Sequence, residues 1–151
     1  MTAGLEQALL KLPATPAITY RGMLGLPPSS AITLTNVLPS SLSPRVASEN
    51  FHAERLAAIV AITGRYIAPL SKHPDEQEIA LLPGTVLLPV GSVAVDGLVN
   101  QVVLFAEPGE APQLPAGPAE LRDVVSQQVG AALRAPAVTI HSPGRFSPRG
   151  R

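Results

Sequence analysis

The sequence contains no cysteine among its 151 residues. A disulfide framework, a thiolate nucleophile and a cysteine-based zinc site are therefore excluded. The three histidines, His52, His73 and His141, lack the spacing of metal ligands, and we predict no metal site. Three common enzyme motifs are missing as well: no G-x-G-x-x-G follows a predicted strand, and neither a P-loop nor a G-x-S-x-G elbow is present.

Neither sign of charge is in excess, because eleven basic and eleven acidic residues give a formal net charge of zero. A chain with this balance has no bulk positive field to gather nucleic acid or an anionic membrane surface. We therefore predict neither nucleic acid nor membrane as a partner.

Long hydrophobic runs are also lacking. No apolar run approaches the roughly 18 residues of a membrane span, and the N-terminus carries Glu6 and no uninterrupted apolar core of a signal peptide. We expect no transmembrane segment and no cleaved signal peptide. The expected location is cytoplasmic, or outside the cell after secretion by a signal-independent route.

The hydrophobic content, 46% of 151 residues, is enough to fill the core of one domain. Glycine and proline are frequent, at 12 and 17 residues, and we interpret them as tight connections. The prediction is a single compact domain over residues 1–140, followed by a flexible tail rich in Pro, Gly and Arg over residues 141–151.

Hydrophobic periodicity predicts helices near both ends of the chain and strands between them. A further helix is predicted over residues 43–64, because Ser43 and Pro44 form a helix-start signal and Gly64 a plausible stop. Pro89 and Gly91 predict a bulge or an edge in their strand. The other predicted helices cover residues 5–12 and 118–135, and the predicted strands cover residues 17–22, 31–38, 65–70, 77–83, 85–95 and 98–107.

This order of elements predicts an α+β fold with largely antiparallel pairing, since the late strands are too close in sequence for helical crossovers. A doubly wound parallel sheet is not expected.

The segment "HPDEQEIALLPGT" places Glu76 and Glu78 two residues apart at the start of a predicted strand. On a strand, both side chains would project to the same side, roughly 7 Å apart. Paired carboxylates at this spacing suit a shared substrate. The alternative is that they form the solvent face of an edge strand.

Two other motifs precede this pair: Arg21 at the end of the strand "ITYRG", and Ser40 and Ser41 in "LPSSLSPRVASENF". In this order, over residues 5–107, the three motifs resemble the mono-ADP-ribosyltransferase family of the R-S-E class. That family has an aromatic-Arg strand, a Ser-Thr-Ser strand and an E-x-E strand. The resemblance implies an ADP-ribosyltransferase-like fold, with two small, mostly antiparallel sheets around an NAD cleft and flanking helices.

The resemblance also implies a role for each motif, with NAD as the substrate. Arg21, together with Gly22, would hold the NAD pyrophosphate or the adjacent ribose, since a guanidinium presents a planar and always charged fork. Glu78 would stabilise the oxocarbenium-like cation that forms when nicotinamide leaves. Glu76 would orient or deprotonate an incoming arginine guanidinium. The function implied is NAD-dependent mono-ADP-ribosylation of a protein, with arginine as the favoured acceptor and NAD glycohydrolysis as a side activity.

The resemblance further implies that a serine hydroxyl of the second motif, that of Ser41 or Ser40, fixes the catalytic carboxylate through a hydrogen bond. The loop "SKHPD", with His73 and Asp75, corresponds to the turn of the family that recognises the target protein. Family members are often toxins or effectors paired with a neutralising immunity protein, so both a target and an immunity protein are implied as partners.

The sequence departs from the family pattern where Pro39 replaces the first serine. A shifted register using Ser41, Leu42 and Ser43 would restore a leading serine. Two alternatives to the enzyme therefore remain: a degenerate member that binds NAD or a protein without transfer, and an interaction module whose glutamates are simply exposed.

Overall fold

A computed structural model describes residues 2–148. Within this range the chain forms one mixed sheet with helices at its flanks. The α-helices are α1 (Thr2–Leu10), α2 (Pro44–Ala47) and α3 (Pro118–Arg134), and short 3-10 helices cover Ala68–Leu70 and Pro74–Glu76. The strands are β1 (Ala17–Met23), β2 (Ile32–Thr33), β3 (Leu38–Ser41), β4 (Arg55–Ala61), β5 (Arg65–Tyr66), β6 (Glu78–Leu81), β7 (Val86–Val93) and β8 (Val102–Ala106).

The strands follow the spatial order β2-β7-β8-β4-β1-β3-β6-β5. Every pairing is antiparallel except that of β4 with β8. The predicted α+β class with largely antiparallel pairing is confirmed. A single register pair, Tyr20 with Ser41, joins the five-strand part that ends at β1 to the three-strand part that begins at β3. The two predicted sheets are thus two parts of one continuous hydrogen-bonded sheet.

The core has a layer on each side of β4, because alternate residues of a strand point to opposite faces. Leu56, Ala58 and Val60 pack with β8 and with the apolar face of α3. Ala57 and Ile59 belong to a second cluster, which includes buried residues of β6, β7 and β8. Buried residues of β6 thus belong to the cluster on the face of β4 that α3 leaves free.

The predicted helix over residues 43–64 is wrong beyond its first turn. Ser43 does cap α2, accepting a hydrogen bond from the Val46 amide (3.2 Å), but α2 ends at Ala47. Three consecutive residues after it, Glu49, Asn50 and Phe51, adopt left-handed φ angles of 52°, 59° and 66°.

The second half of the predicted helix, "RLAAIVA", is the strand β4. It lies between β1 and β8 with both faces covered, so its sequence is a continuous apolar run. Such a run does not alternate, and periodicity cannot distinguish it from a buried helix.

The remaining elements agree with the sequence predictions to within a few residues. The bulge predicted at Pro89 and Gly91 is confirmed as a register shift between β7 and β8. The predicted strand over residues 31–38 is divided into β2 and the start of β3, and that over residues 65–70 becomes β5 followed by a 3-10 turn. Among the described residues, no helix combines the length and the apolarity needed to cross a bilayer.

Candidate functional site

The candidate site lies where β1 and β3 separate. These strands share one register pair, whereas β1 pairs with β4 over its full length. Within residues 2–148, the β3-facing side of β1 beyond Tyr20 therefore has no partner strand. Arg21 and Gly22 lie on this open stretch.

The two glutamates meet at the other side of the opening. Glu78 begins β6 directly opposite Ser41 of β3, and its carboxylate is buried, with the residue 2% exposed. Glu76 is 4% exposed, and the two glutamates line one cleft of about 390 Å³. The interpretation of these glutamates as a solvent-exposed strand face is therefore wrong.

Glu76 does not lie on a strand, contrary to the prediction, but at the end of the 3-10 helix Pro74–Glu76. Gln77 follows in a left-handed conformation (φ 50°, ψ 51°) and connects that helix to β6. The convergence of the two glutamates on one cleft thus comes from a tight turn. Strand alternation, on which the prediction depends, is not its cause.

The two serines hold the main chain around this turn. The Ser41 hydroxyl donates to the Glu76 carbonyl (2.6 Å) and accepts from the Ser43 amide (3.0 Å). The Ser40 hydroxyl, facing the other way, accepts from Thr19 (2.7 Å) and donates to the Ile79 carbonyl (2.8 Å). Both hydroxyls are buried and satisfied by these contacts. They therefore position the backbone on either side of Glu78, whereas the sequence predicts a bond to its carboxylate.

Arg21 bridges two main-chain carbonyls. Its Nη1 donates to Pro39 (2.8 Å) and to Arg145 (2.9 Å). Burial lowers the pKa of the Arg21 guanidinium, which nonetheless stays charged because arginine titrates far above neutral pH.

The contact from Arg21 also explains why proline is tolerated at position 39. The carbonyl of Pro39 points towards the opening between β1 and β3, and in a strand the N–H of a residue points to the same side as its carbonyl. The N–H that proline lacks would therefore face the opening, where no ladder bond is needed.

The chain crosses this opening near its C-terminus, and we call residues 138–148 the C-terminal segment. Arg145 forms a two-pronged ion pair with Glu78, Nε to Oε1 at 2.9 Å and Nη2 to Oε2 at 2.7 Å. These bonds raise the pKa of the Arg145 guanidinium, against the effect of its partial burial. Phe146 and Ser147 are only 2% and 4% exposed.

The prediction of a flexible tail over residues 141–151 did not anticipate this packing, and its last three residues lie outside the described part of the chain. The Gly22 amide donates to the Phe146 carbonyl (2.9 Å). A Cβ at Gly22 would lie 2.2 Å from the Ser147 hydroxyl oxygen, so only glycine allows so close an approach.

The loop predicted to recognise a target also contacts this segment. His141 bonds to Asp75 (2.8 Å) and stacks on His73, with ring centroids 4.0 Å apart and planes 1° from parallel. The hydrogen bond from His141 lowers the pKa of the Asp75 carboxyl.

His73, Asp75 and His141 place possible metal-ligand atoms within 4.8 Å of one another, a proximity that their spacing in the sequence did not reveal. A metal binds imidazole in the plane of the ring. Because the two rings are stacked in separate parallel planes, one ion cannot lie in both, and this arrangement disfavours shared ligation.

Several solved structures superpose on the chain. Exoenzyme S from Pseudomonas aeruginosa, solved with human 14-3-3 protein beta and carba-NAD, matches with a TM-score of 0.57 and 19% identity, over 82% of this chain and 64% of its own. Vis, an ADP-ribosyltransferase toxin from Vibrio splendidus, matches with a TM-score of 0.55 and 19% identity, over 77% of this chain and 58% of its own. The type III effector XopAI from Xanthomonas axonopodis matches with a TM-score of 0.51 and 19% identity, over 68% of this chain and 49% of its own.

The chain has the ADP-ribosyltransferase fold. It spans less than two thirds of the length of these three structures. No protein-family model and no curated protein matches the sequence.

Within this ADP-ribosyltransferase fold, five of the eight predicted site residues line two separate spaces, whereas Ser40, Ser41 and Asp75 line neither. Glu76, Glu78 and His73 line one cleft, together with Arg145. Arg21 and Gly22 line a second, more apolar cavity of about 260 Å³, which Pro148 also borders. The C-terminal segment lies between the two, and it is the part of the site that the sequence analysis missed. The one available signal was Phe146, an aromatic residue within a stretch otherwise rich in Pro, Gly and Arg.

Proposed function

We propose that the protein is an NAD-dependent mono-ADP-ribosyltransferase that modifies arginine side chains of a target protein. The observation that carries this proposal is the pair of buried glutamates, Glu76 and Glu78, on one cleft beside the separation of β1 and β3. Buried carboxylates are rare unless they are paired or functional. A carboxylate within the fold of these transferases suits the cationic transition state of their chemistry.

The roles follow from the chemistry of each group. Breaking the glycosidic bond of NAD releases nicotinamide with the bonding electron pair and leaves a cationic ribose, which the negative charge of Glu78 stabilises. Glu76 receives a proton from the incoming arginine guanidinium while a nitrogen of that guanidinium bonds to the ribose carbon. Arg21 provides the charge for the pyrophosphate, and Gly22 allows the ligand close to the backbone of β1.

Ser40 and Ser41 support this arrangement through the backbone on either side of Glu78, and the loop with His73 and Asp75 contacts the target. Two superposing structures support the proposed substrates: exoenzyme S is solved with carba-NAD, and Vis with agmatine, a guanidine compound. The proposed partners are a target protein and, as the resemblance to the family implies, a neutralising immunity protein. When water replaces the guanidine, the same site gives NAD glycohydrolysis.

The test is incubation with NAD and an arginine-rich acceptor protein, followed by mass spectrometry for ADP-ribosylated arginine. The Glu76→Gln variant should lose transfer to arginine by roughly 10²-fold, the usual effect of removing a general base, while still releasing nicotinamide. Absence of ADP-ribose from every protein, the enzyme included, at saturating NAD would refute the transferase.

A second function is favoured by one observation, the ion pair that covers Glu78. A protein whose carboxylate is permanently paired with Arg145 would bind NAD or a protein in the remaining cavities without transferring ADP-ribose. Binding of carba-NAD without nicotinamide release from NAD would support this degenerate member over the enzyme.

A further inference from the structure

We propose that the C-terminal segment is a resident occupant of the candidate site. The segment holds Arg145 on Glu78, and it must leave before NAD can bind. The proposal rests on the proposed function, because it concerns regulation of the same site. Four observations carry it, and they involve the carboxylate, the backbone, the cavities and the anchors of the segment.

The first observation is the state of the carboxylate. Both oxygens of Glu78 accept bonds from Arg145 in a parallel, two-pronged arrangement, the strong and orientation-specific form of this pair. Because Glu78 is buried, solvent screens the attraction only weakly. A ribose hydroxyl cannot reach these oxygens while the guanidinium covers them.

The second observation is that the segment uses the groups assigned to NAD on β1. Arg21 donates to the carbonyl of Arg145, and the Gly22 amide donates to that of Phe146. The segment thus supplies the hydrogen bonds that the open side of β1 would otherwise lack. The surface that would bind a pyrophosphate is consequently occupied by the protein's own main chain.

The third observation concerns space. The segment separates the glutamate cleft of about 390 Å³ from the arginine cavity of about 260 Å³. The second volume is below the roughly 300–1,000 Å³ usual for ligand sites, and the first lies in the lower part of that range. A dinucleotide that reaches from Arg21 to Glu78 needs both spaces, and the segment borders each of them, with Arg145 lining the first and Pro148 the second.

The fourth observation is that the segment is anchored at its beginning, outside the site. Asn50 exchanges two hydrogen bonds with the backbone of Val138, each of 2.9 Å, and Glu49 accepts from the Gly144 amide (2.6 Å). Both residues belong to the left-handed turn after α2, a conformation that costs roughly 1–2 kcal/mol per residue and persists where surroundings hold it. Residues 145–148 can therefore leave the site while the segment stays attached near Val138.

The test uses the full chain and carba-NAD, which binds without reacting. Binding is measured by calorimetry for the wild type and for two separate variants, Arg145→Ala and Phe146→Asp. The second variant opposes docking of the segment without removing the guanidinium. Arg134→Ala is the matched control, because it removes an exposed arginine at the end of α3.

We expect both variants to bind carba-NAD on the order of tenfold more tightly than the wild type and the control, because a closed site weakens apparent affinity by the fraction that is open. Hydrogen exchange gives a second readout. Carba-NAD should accelerate exchange over residues 141–148 of the wild type, whereas a ligand that binds beside a docked segment would leave it unchanged. Equal affinities together with unchanged exchange would overturn the proposal and leave the transferase intact.

Failure of the proposed function has a different signature. In that case no variant binds carba-NAD, although exchange over residues 141–148 rises in Arg145→Ala. A synthetic peptide of residues 138–148 then tests whether the C-terminal segment docks in the candidate site. It should bind to the Arg145→Ala protein, and the same peptide with alanine in place of Arg145 should not. Absence of peptide binding would refute the resident occupant itself.

Discussion

Replacing Glu78 by glutamine should reduce nicotinamide release from NAD by roughly 10²- to 10³-fold at saturating NAD, the usual loss when an electrostatic stabiliser of the transition state is removed. Glutamine has nearly the shape of glutamate but no charge. It can still occupy the buried position opposite Ser41. The cationic ribose would lose its counter-charge, so the effect should fall on the maximal rate more than on NAD affinity.

The ion pair with Arg145 complicates this measurement and also provides its control. Glutamine offers one acceptor oxygen in place of two, and its amide group would face the guanidinium of Arg145, so the substitution also loosens the C-terminal segment. The loss of rate should therefore be measured again in the Arg145→Ala background, where that pair is already absent. If Glu78→Gln lowers the rate equally in both backgrounds, the carboxylate acts on the reaction itself.

An exposed glutamate provides the matched control for the change of charge. Glu110 lies on the loop after β8, away from the glutamate cleft, and Glu110→Gln should release nicotinamide at the wild-type rate. A Glu78→Gln protein that keeps wild-type activity would contradict the assignment of the catalytic carboxylate, even if transfer to arginine is observed.

The sequence predicted the three motifs of the candidate site because each is a local pattern. Arg21 lies on β1, the serine pair on β3 and Glu78 at the start of β6, and these three strands are consecutive in the sheet. The resemblance to the family implied that these motifs lie around one cleft, whereas the sequence alone did not predict which strands pair. The contacts of the serines were not predictable in the same way, since they depend on the left-handed turn at Gln77 that brings the Glu76 carbonyl to Ser41.

Two other features escaped prediction for different physical reasons. The strand β4 has no alternation to detect, because α3 packs on one face and the second core cluster lies on the other. The docking of Arg145 on Glu78 joins residues 67 positions apart, and a Pro/Gly/Arg-rich stretch carries no periodic signal of its own. Its order depends on partners elsewhere in the fold, namely Asn50, Asp75 and Gly22.

The largest expected effect on stability is that of Leu104→Ala. Leu104 is fully buried on β8, opposite Ala58 of the neighbouring strand β4 and within the cluster that contains Val125 of α3. Removing a buried leucine side chain at such a position costs about 2–5 kcal/mol, because transfer energy is lost and a cavity remains. For a domain of this length, each kcal/mol lowers Tm by roughly 2–4 °C, so Tm should fall on the order of 10 °C.

The same substitution at Leu88 is the matched control. Leu88 lies on β7, beside β8 in the sheet, but is 38% exposed. Leu88→Ala removes the same atoms from a position that water partly reaches, so it should cost clearly less than Leu104→Ala. Thermal denaturation of the two variants checks the difference. Equal shifts would contradict the burial of Leu104 in the layer beneath α3.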